Sequence, residues 1–275
     1  MPLLSTNTKT RKLAATESGY RGTILNLAPA WEAGIVTSKG KKLSLCTSSV
    51  GSCRSACVGF VAGLHEFPKN QQIKREKTLY WWDRPGDFRA QLIHELRAFR
   101  HACRVANVHG IVRLNGGTDL AWWGDTHPEQ PGKCACIPQE VPELQFVEYT
   151  AHAPTKVGFR DSDLPSNVRL TYSRKIATRD HVAAECLELG RPVAIVFTDG
   201  ASTGPRVPRI RLPQTWSIGG VFAPVVDGDL HDLHSLTAAA QGISNGKYIV
   251  GLRAKTNSQA RLRDMIRTGF AIVLK

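Results

Sequence analysis

Apolar residues along this chain follow two alternating rhythms. Short β-type runs of five to eight residues recur: GTILNLAP (22–29), IVRLN (111–115), LQFVEYT (144–150), VRLTYS (168–173), PVAIVFT (192–198), VFAPVVDG (221–228), YIVGLRAK (248–255) and FAIVL (270–274). They are rich in branched and aromatic residues, and breakers such as Pro29 bound them. Helical periodicity appears between some of them, in RDHVAAECLELG (179–190) and SQARLRDMIRTG (258–269). Gly190 and Gly269 stand where C-terminal caps belong. The longest helical pattern follows Pro85 and Gly86, with Asp87 as the expected N-cap. Phe88, Leu92, Leu96, Phe99 and Cys103 recur there at spacings of three and four, which predicts one buried face. Upstream, KNQQIKREKTLYWW (69–82) predicts a basic helix ending in aromatics. A further helix is expected to begin near Cys53 and run through ACVGFVAGL. Residues 1–21 are polar, basic and non-periodic, and read as a flexible arm.

Strand–helix–strand repetition predicts an α/β protein with a largely parallel sheet. Eight strands over roughly 250 residues fit an irregular eight-stranded α/β (TIM-like) barrel. The expected organisation is one barrel-like domain over residues 22–275, with a cysteine-loop insertion at 37–60 and a loop at 120–142. In such a fold the residues just past each strand line the face that carries chemistry.

The 275 residues are 42% apolar, enough for a sizeable core. No run of about 18 apolar residues predicts a membrane span. The first residues lack the long apolar core and small-residue cleavage pattern of a secretory signal. The expected location is therefore the cytoplasm, where the seven cysteines would be thiols or metal ligands. Lys and Arg number 36 against 23 acidic residues, a formal net charge of +13. Such an excess points to a polyanionic partner, nucleic acid first, and DNA before RNA.

The candidate chemistry begins with three cysteines in twelve residues, Cys46, Cys53 and Cys57, spaced C-x6-C-x3-C. Three thiolates on one loop suit an iron–sulfur cluster with an open iron, or three positions of a zinc site. Cysteines in this place resemble radical S-adenosylmethionine enzymes, whose usual spacing, C-x3-C-x2-C, differs. Cys134 and Cys136 form a second half-site for zinc, with His127 nearby in sequence. Cys103 and Cys186 fall on apolar helical faces and are expected in the core. In RLNGGTD, Asn115, Gly116 and Gly117 form a strand exit that lets a cofactor approach the backbone. Asp119, Asp227 and Lys255 are the candidate catalytic residues at strand exits. Asp229 reads as turn chemistry, and His231 and His234 in HDLH as surface residues. Arg174, Lys175 and Arg253 are candidate phosphate contacts. Trp122 and Trp123 are either base-stacking or core aromatics. Tyr149, Thr150, Thr198 and Asp199 add to the polar crowd at the strand exits.

Several segments, in order, resemble a family of bacteriophage and mobile-element proteins, the gene-product-88-like family. They are ILNLAPAWEAG, CTSSVGSCRSAC, VRLNGGTDLAW, LPSNVRLTYSRK, VAIVF, VVDGD and IVGLRAK with the closing GFAIVL. The likeness covers roughly residues 20–275; where the family usually carries Pro after its first loop cysteine, this chain has Thr47. The resemblance implies a phage or prophage origin, hence the host cytoplasm, and a barrel-like α/β fold; it implies no reaction. The residues together predict an enzyme that modifies bases or nucleotides at a cysteine-bound metal or iron–sulfur centre. The alternative is a non-catalytic nucleic-acid-binding or host-interaction protein with structural zinc.

Overall fold

A computed structural model describes every residue except 18, 50, 56, 58, 61, 62, 202–209 and 275, with the side chains of 52, 63 and 64 also left aside. The protein is mixed α/β, with its strands paired mostly in parallel. The strands are β1 (Leu4–Ser5), β2 (Tyr20–Leu25), β3 (His109–Arg113), β4 (Gln145–Thr150), β5 (Val168–Ser173), β6 (Val193–Thr198), β7 (Thr215–Ile218), β8 (Val221–Asp227), β9 (Ile249–Arg253) and β10 (Ala271–Val273). The helices are α1 (Thr8–Thr16), α2 (Gly51–Ser55), α3 (Pro68–Asp83), α4 (Pro85–Val105), α5 (Asp180–Glu188), α6 (His234–Ala240) and α7 (Gln259–Arg267). All eight expected strands are present. Among the described residues no helix is long and apolar enough to cross a membrane.

The chain divides into two compact units, each built from three stretches. The first comprises Met1–Thr47, Phe67–Glu148 and Lys156–Arg169; the second comprises Ser48–Glu66, Tyr149–Thr155 and Leu170–Lys275.

In the first unit β2 pairs in parallel with β3, and β3 with β4. β1 closes the edge antiparallel to β2, placing Leu4 opposite Leu25. α3 and α4 both start with proline, at Pro68 and Pro85, whose fixed φ and missing N–H suit the first helical turn. Pro85 also ends α3, because a residue before proline avoids helical geometry; Arg84 sits at φ −136° and ψ 60°. Asp87, the expected N-cap, therefore lies inside the first turn of α4. The buried stripe of α4 includes Phe88, Leu92, Leu96 and Cys103, as the periodicity predicts.

The arm expected over residues 1–21 is instead part of the first unit. Leu3 and Leu13 are buried, and Asn7 caps α1 in a reciprocal capping box with Thr10. The backbone of Leu3 is held at both ends. The Glu95 carboxylate accepts from the N–H groups of Leu3 and Leu4, at 2.9 and 2.8 Å, and Lys77 Nζ donates to the Leu3 carbonyl at 2.7 Å. Two leucines are too few to show as periodicity, so main-chain hydrogen bonding orders a segment whose side chains are mostly polar.

In the second unit β6 lies at the centre. It pairs in parallel with β9 on one edge; on the other, β5 takes its first half and β10 its last. β8 pairs in parallel with β9, and β7 adds antiparallel to β8. A central parallel strand has both faces covered, so β6 reads as an unbroken apolar run with Val193, Ala194, Ile195 and Phe197 all buried. Tyr172, Ile195, Phe197, Val225 and Ile249 form the core with the inner face of α5. Gly190 and Gly269, past the ends of α5 and α7, have φ of +77° and +70°, the left-handed caps expected of them. The short α2 occupies the start of the helix expected through Cys53; Ala56, Val58, Val61 and Ala62 lie outside the described residues.

Each unit's ladder ends in an antiparallel strand, β1 in one and β7 in the other. Among the described residues neither ladder closes on itself, and the pairing reaches ten strands rather than eight. A parallel barrel needs every edge satisfied by a parallel neighbour, so a closed eight-stranded barrel is not made within either unit.

Glu95→Ala removes the acceptor for two backbone donors. We expect a loss of about 1–3 kcal/mol, read as a lower denaturant midpoint. Limited proteolysis should then cut first within the N-terminal strand and helix.

Candidate functional site

The loop after β3 is organised by Asn115. Its Oδ1 accepts from Thr118 Oγ1, Leu120 N–H and the Trp122 indole at 2.9–3.1 Å, while its Nδ2 donates to the Leu120 carbonyl. The buried Glu148 carboxylate, on β4, accepts from the N–H groups of Leu114 and Asn115. Asn115 thus has its side chain engaged by its own loop. Gly116 has a packing reason of its own. A Cβ there would lie 2.3 Å from Asn26 Oδ1 and 2.6 Å from the Leu25 carbonyl. Gly117 supplies its carbonyl to the Cys46 thiol at 3.3 Å. Asp119 bonds through its N–H to the Leu45 carbonyl, and its charge acts on Lys156, whose ammonium burial shifts down.

The tryptophans expected to stack on bases are core residues. Trp122 is fully buried and stacks on Phe88, while Trp123 donates to the Gly158 carbonyl and meets Phe159 edge-on. Arg174 is also buried: its guanidinium grips Asp180 through two nitrogens and donates to the Gly269 carbonyl. A guanidinium engaged this way pins the loop after β5 rather than meeting a phosphate. Lys175 reaches Ser173 Oγ at 3.0 Å.

At the exits of β8 and β9, four charges compensate one another. Arg253 Nη1 contacts both Asp227 oxygens at 2.9 and 3.0 Å and Asp229 Oδ2 at 3.2 Å. Lys255 Nζ lies 2.7 Å from Asp229 Oδ1. The Asp227 and Asp229 carboxylates hold the Arg253 guanidinium above its ordinary range against the opposing effect of burial. Asp227, Asp229, Arg253 and Lys255 therefore form an ion-pair network that ties two strand exits together. Its arginine is locked between carboxylates, which leaves little of it to offer a phosphate.

The cysteines expected as ligands lie in different surroundings. Cys134 is fully buried, and burial pushes its thiol up to about 11. Cys136, two residues on, is exposed at φ +53°. The His127 ring is engaged on both sides: Nδ1 accepts from the N–H groups of Glu129 and Gln130, and Nε2 donates to the Trp82 carbonyl. Cys46 belongs to the first unit, and Cys53 and Cys57, both half-buried, belong to the second. Among the described residues no three His, Cys, Asp or Glu side chains converge as a metal ion requires. The ligand geometry for zinc or an iron–sulfur cluster is absent from those residues.

A different polar group gathers in the second unit, past the ends of β4 and β8. His231, Asp232 and His234 are all buried, against the expectation that HDLH lies on the surface. His234, the first residue of α6, makes a close hydrogen bond through Nε2 with the Tyr149 hydroxyl, and the two rings meet edge-on. Tyr149, at the exit of β4, packs on the cluster of Ala194, Val226, Tyr248 and Val250. Burial raises the nearby Tyr248 phenol to about 12, with Tyr149 adding to the shift. Three residues past Tyr149, the buried His152 places Nδ1 2.7 Å from Ser48 Oγ. The Thr150 hydroxyl accepts from the His152 N–H at 3.0 Å. Two His–hydroxyl pairs at parallel-strand exits can move protons to and from a bound molecule. Sequence reasoning noted Tyr149 and the HDLH histidines but passed over His152 and Ser48. The available signal was YTAH, a strand ending in hydroxyls with a histidine just beyond.

Among family models, the one described as Gene product 88 matches residues 2–269. No curated protein and no solved structure matches the chain.

Two outcomes follow from this geometry. Gly116→Ala should lower stability by about 1–3 kcal/mol by overpacking against the β2 exit, seen as a reduced denaturant midpoint with an unchanged m-value. Iodoacetamide at about pH 8 should alkylate Cys136 in the folded protein and spare Cys134 until unfolding; peptide mass spectrometry reads both sites.

Proposed function

The chain belongs to the gene product 88 family, and from that premise we propose that it is a phage enzyme acting on nucleic acid. Its chemistry is proton transfer at the buried histidine, tyrosine and serine group of the second unit. The observation that carries this reading is the pairing of His234 with Tyr149 and of His152 with Ser48 at parallel-strand exits. Histidines hydrogen-bonded to hydroxyls, where α/β folds bind their ligands, are suited to general acid–base work. The net charge of +13 supplies the attraction for a phosphate backbone. DNA is the first substrate to try, and base or nucleotide modification the first reaction to assay.

The sequence routes the reaction through Asp119, Asp227 and Lys255 with a cysteine-held metal. Asp227 and Lys255 are engaged in ion pairs, and the present reading rests on the histidine pairs instead. A non-catalytic nucleic-acid-binding protein would use the same charge and leave the histidine pairs as packing.

The deciding experiment compares wild type with His234→Gln and Tyr149→Phe. Gel shifts across a salt series measure binding, and nucleoside mass spectrometry with denaturing gels measures turnover. The variants should lose turnover by about 10²–10⁴-fold while keeping the same slope of affinity against salt. Full turnover in both variants would remove the site. Failure to retain DNA or RNA even at low ionic strength would remove nucleic acid as the partner.

A further inference from the structure

Ser48 and His152 meet as a nucleophile and a base should. Ser48 is half-buried on the loop before α2, while His152 is buried. The Oγ–Nδ1 separation of 2.7 Å is hydrogen-bond contact. The His152 backbone is fixed in turn, because its N–H donates to the buried Thr150 hydroxyl at the end of β4. A cation is bonded to the residue that follows Ser48 in the chain. Arg54, on α2, donates from Nε to Ser49 Oγ at 2.8 Å and from Nη2 to the Ser49 carbonyl at 2.9 Å. Its guanidinium is thereby kept one residue from Ser48, on an exposed side chain. A hydroxyl, a base and an adjacent guanidinium suit an anionic ester better than a neutral one.

We infer that Ser48 is a nucleophile activated by His152, that Arg54 holds the non-bridging oxygens of the substrate, and that the bond attacked is a phosphodiester. This rests on the reading of the second unit as a nucleic-acid-processing site and names the bond it acts on. As the Oγ–P bond forms, the Ser48 proton passes to His152 Nδ1. The P–O bond to the departing nucleoside breaks, its electron pair stays on that oxygen, and the imidazolium returns the proton there. Water then attacks the phosphoserine with His152 again taking a proton. The Oγ–P bond breaks, the proton returns to Ser48, and the phosphate end leaves. No oxidant, reductant or metal enters the balance.

The test uses the full chain and two probes. A fluorophosphonate, which reacts with activated serines whatever their substrate, should add its mass to the peptide carrying Ser48, and Ser48→Ala and His152→Gln should abolish the addition. An end-labelled oligonucleotide, quenched early in acid, should leave a covalent protein–DNA band on a denaturing gel that both variants lose. Arg54→Gln should keep fluorophosphonate labelling and weaken the oligonucleotide band at least tenfold, which a merely structural arginine would not do. Labelling of Ser48 with no oligonucleotide adduct overturns the phosphodiester assignment. Absence of both signals, with Ser48→Ala retaining wild-type turnover of nucleic acid, overturns the nucleophile and leaves the broader enzyme reading in place. Absence of nucleic-acid turnover in wild type, with Ser48 still labelled, overturns the broader reading and the choice of phosphodiester together. Circular dichroism of each variant separates a lost reaction from a lost fold.

Discussion

A strand paired in parallel on both edges must also find cover for both faces, and β6 is where this protein meets that demand most fully. Its residues Val193 to Phe197 have little room for polarity, and Val196 alone among them is half-exposed. Polar side chains are therefore displaced to the strand ends, where the backbone turns toward water. Fixed, paired strands then deliver those side chains to reproducible positions. The ion pairs, the histidines and the hydroxyls of the second unit all stand on the consequence of that one apolar layer.

Not every polar residue at an exit does the same work. Asp227, Asp229, Arg253 and Lys255 neutralise one another, a partly buried arrangement in which taking away one partner strands another charge. Asn115 and Glu148 satisfy backbone donors that would otherwise be buried unpaired. His152, His234, Ser48 and Tyr149 differ in kind. They pair histidine rings with hydroxyls, a combination whose hydrogen bonds run between side chains.

The fold was legible wherever a segment carried its own periodicity. The eight apolar runs and the α4 stripe announce themselves because a buried strand or helix face has a fixed repeat. β1 and β7 escaped notice: β1 spans only two residues, and TWSI in β7 follows no strict alternation. The N-terminal segment was opaque for another reason. Lys77 and Glu95 hold its main chain from helices some seventy to ninety residues away, and no local pattern encodes that. The site was the least legible part. The cysteine spacing looked like ligand chemistry, yet the solvation of Cys134 and the hydrogen bonds of His127 are tertiary properties. HDLH looked like surface because it follows the polar DGD, while its burial comes from packing in the second unit.

The interleaved build of the two units has a consequence for how the chain is made. Each unit draws on three separate stretches, and the polypeptide passes between them five times. The segment 48–66 leaves the ribosome long before residues beyond 170 exist to receive it. The first unit in turn waits for its last piece, 156–169. The first unit has all its stretches once residue 169 is made, whereas the second waits for the residues from 170 onward, so its early pieces are held unpartnered until late in synthesis. Cutting the gene at any single point would divide at least one unit between two fragments, and splitting the protein would call for co-expression rather than excision.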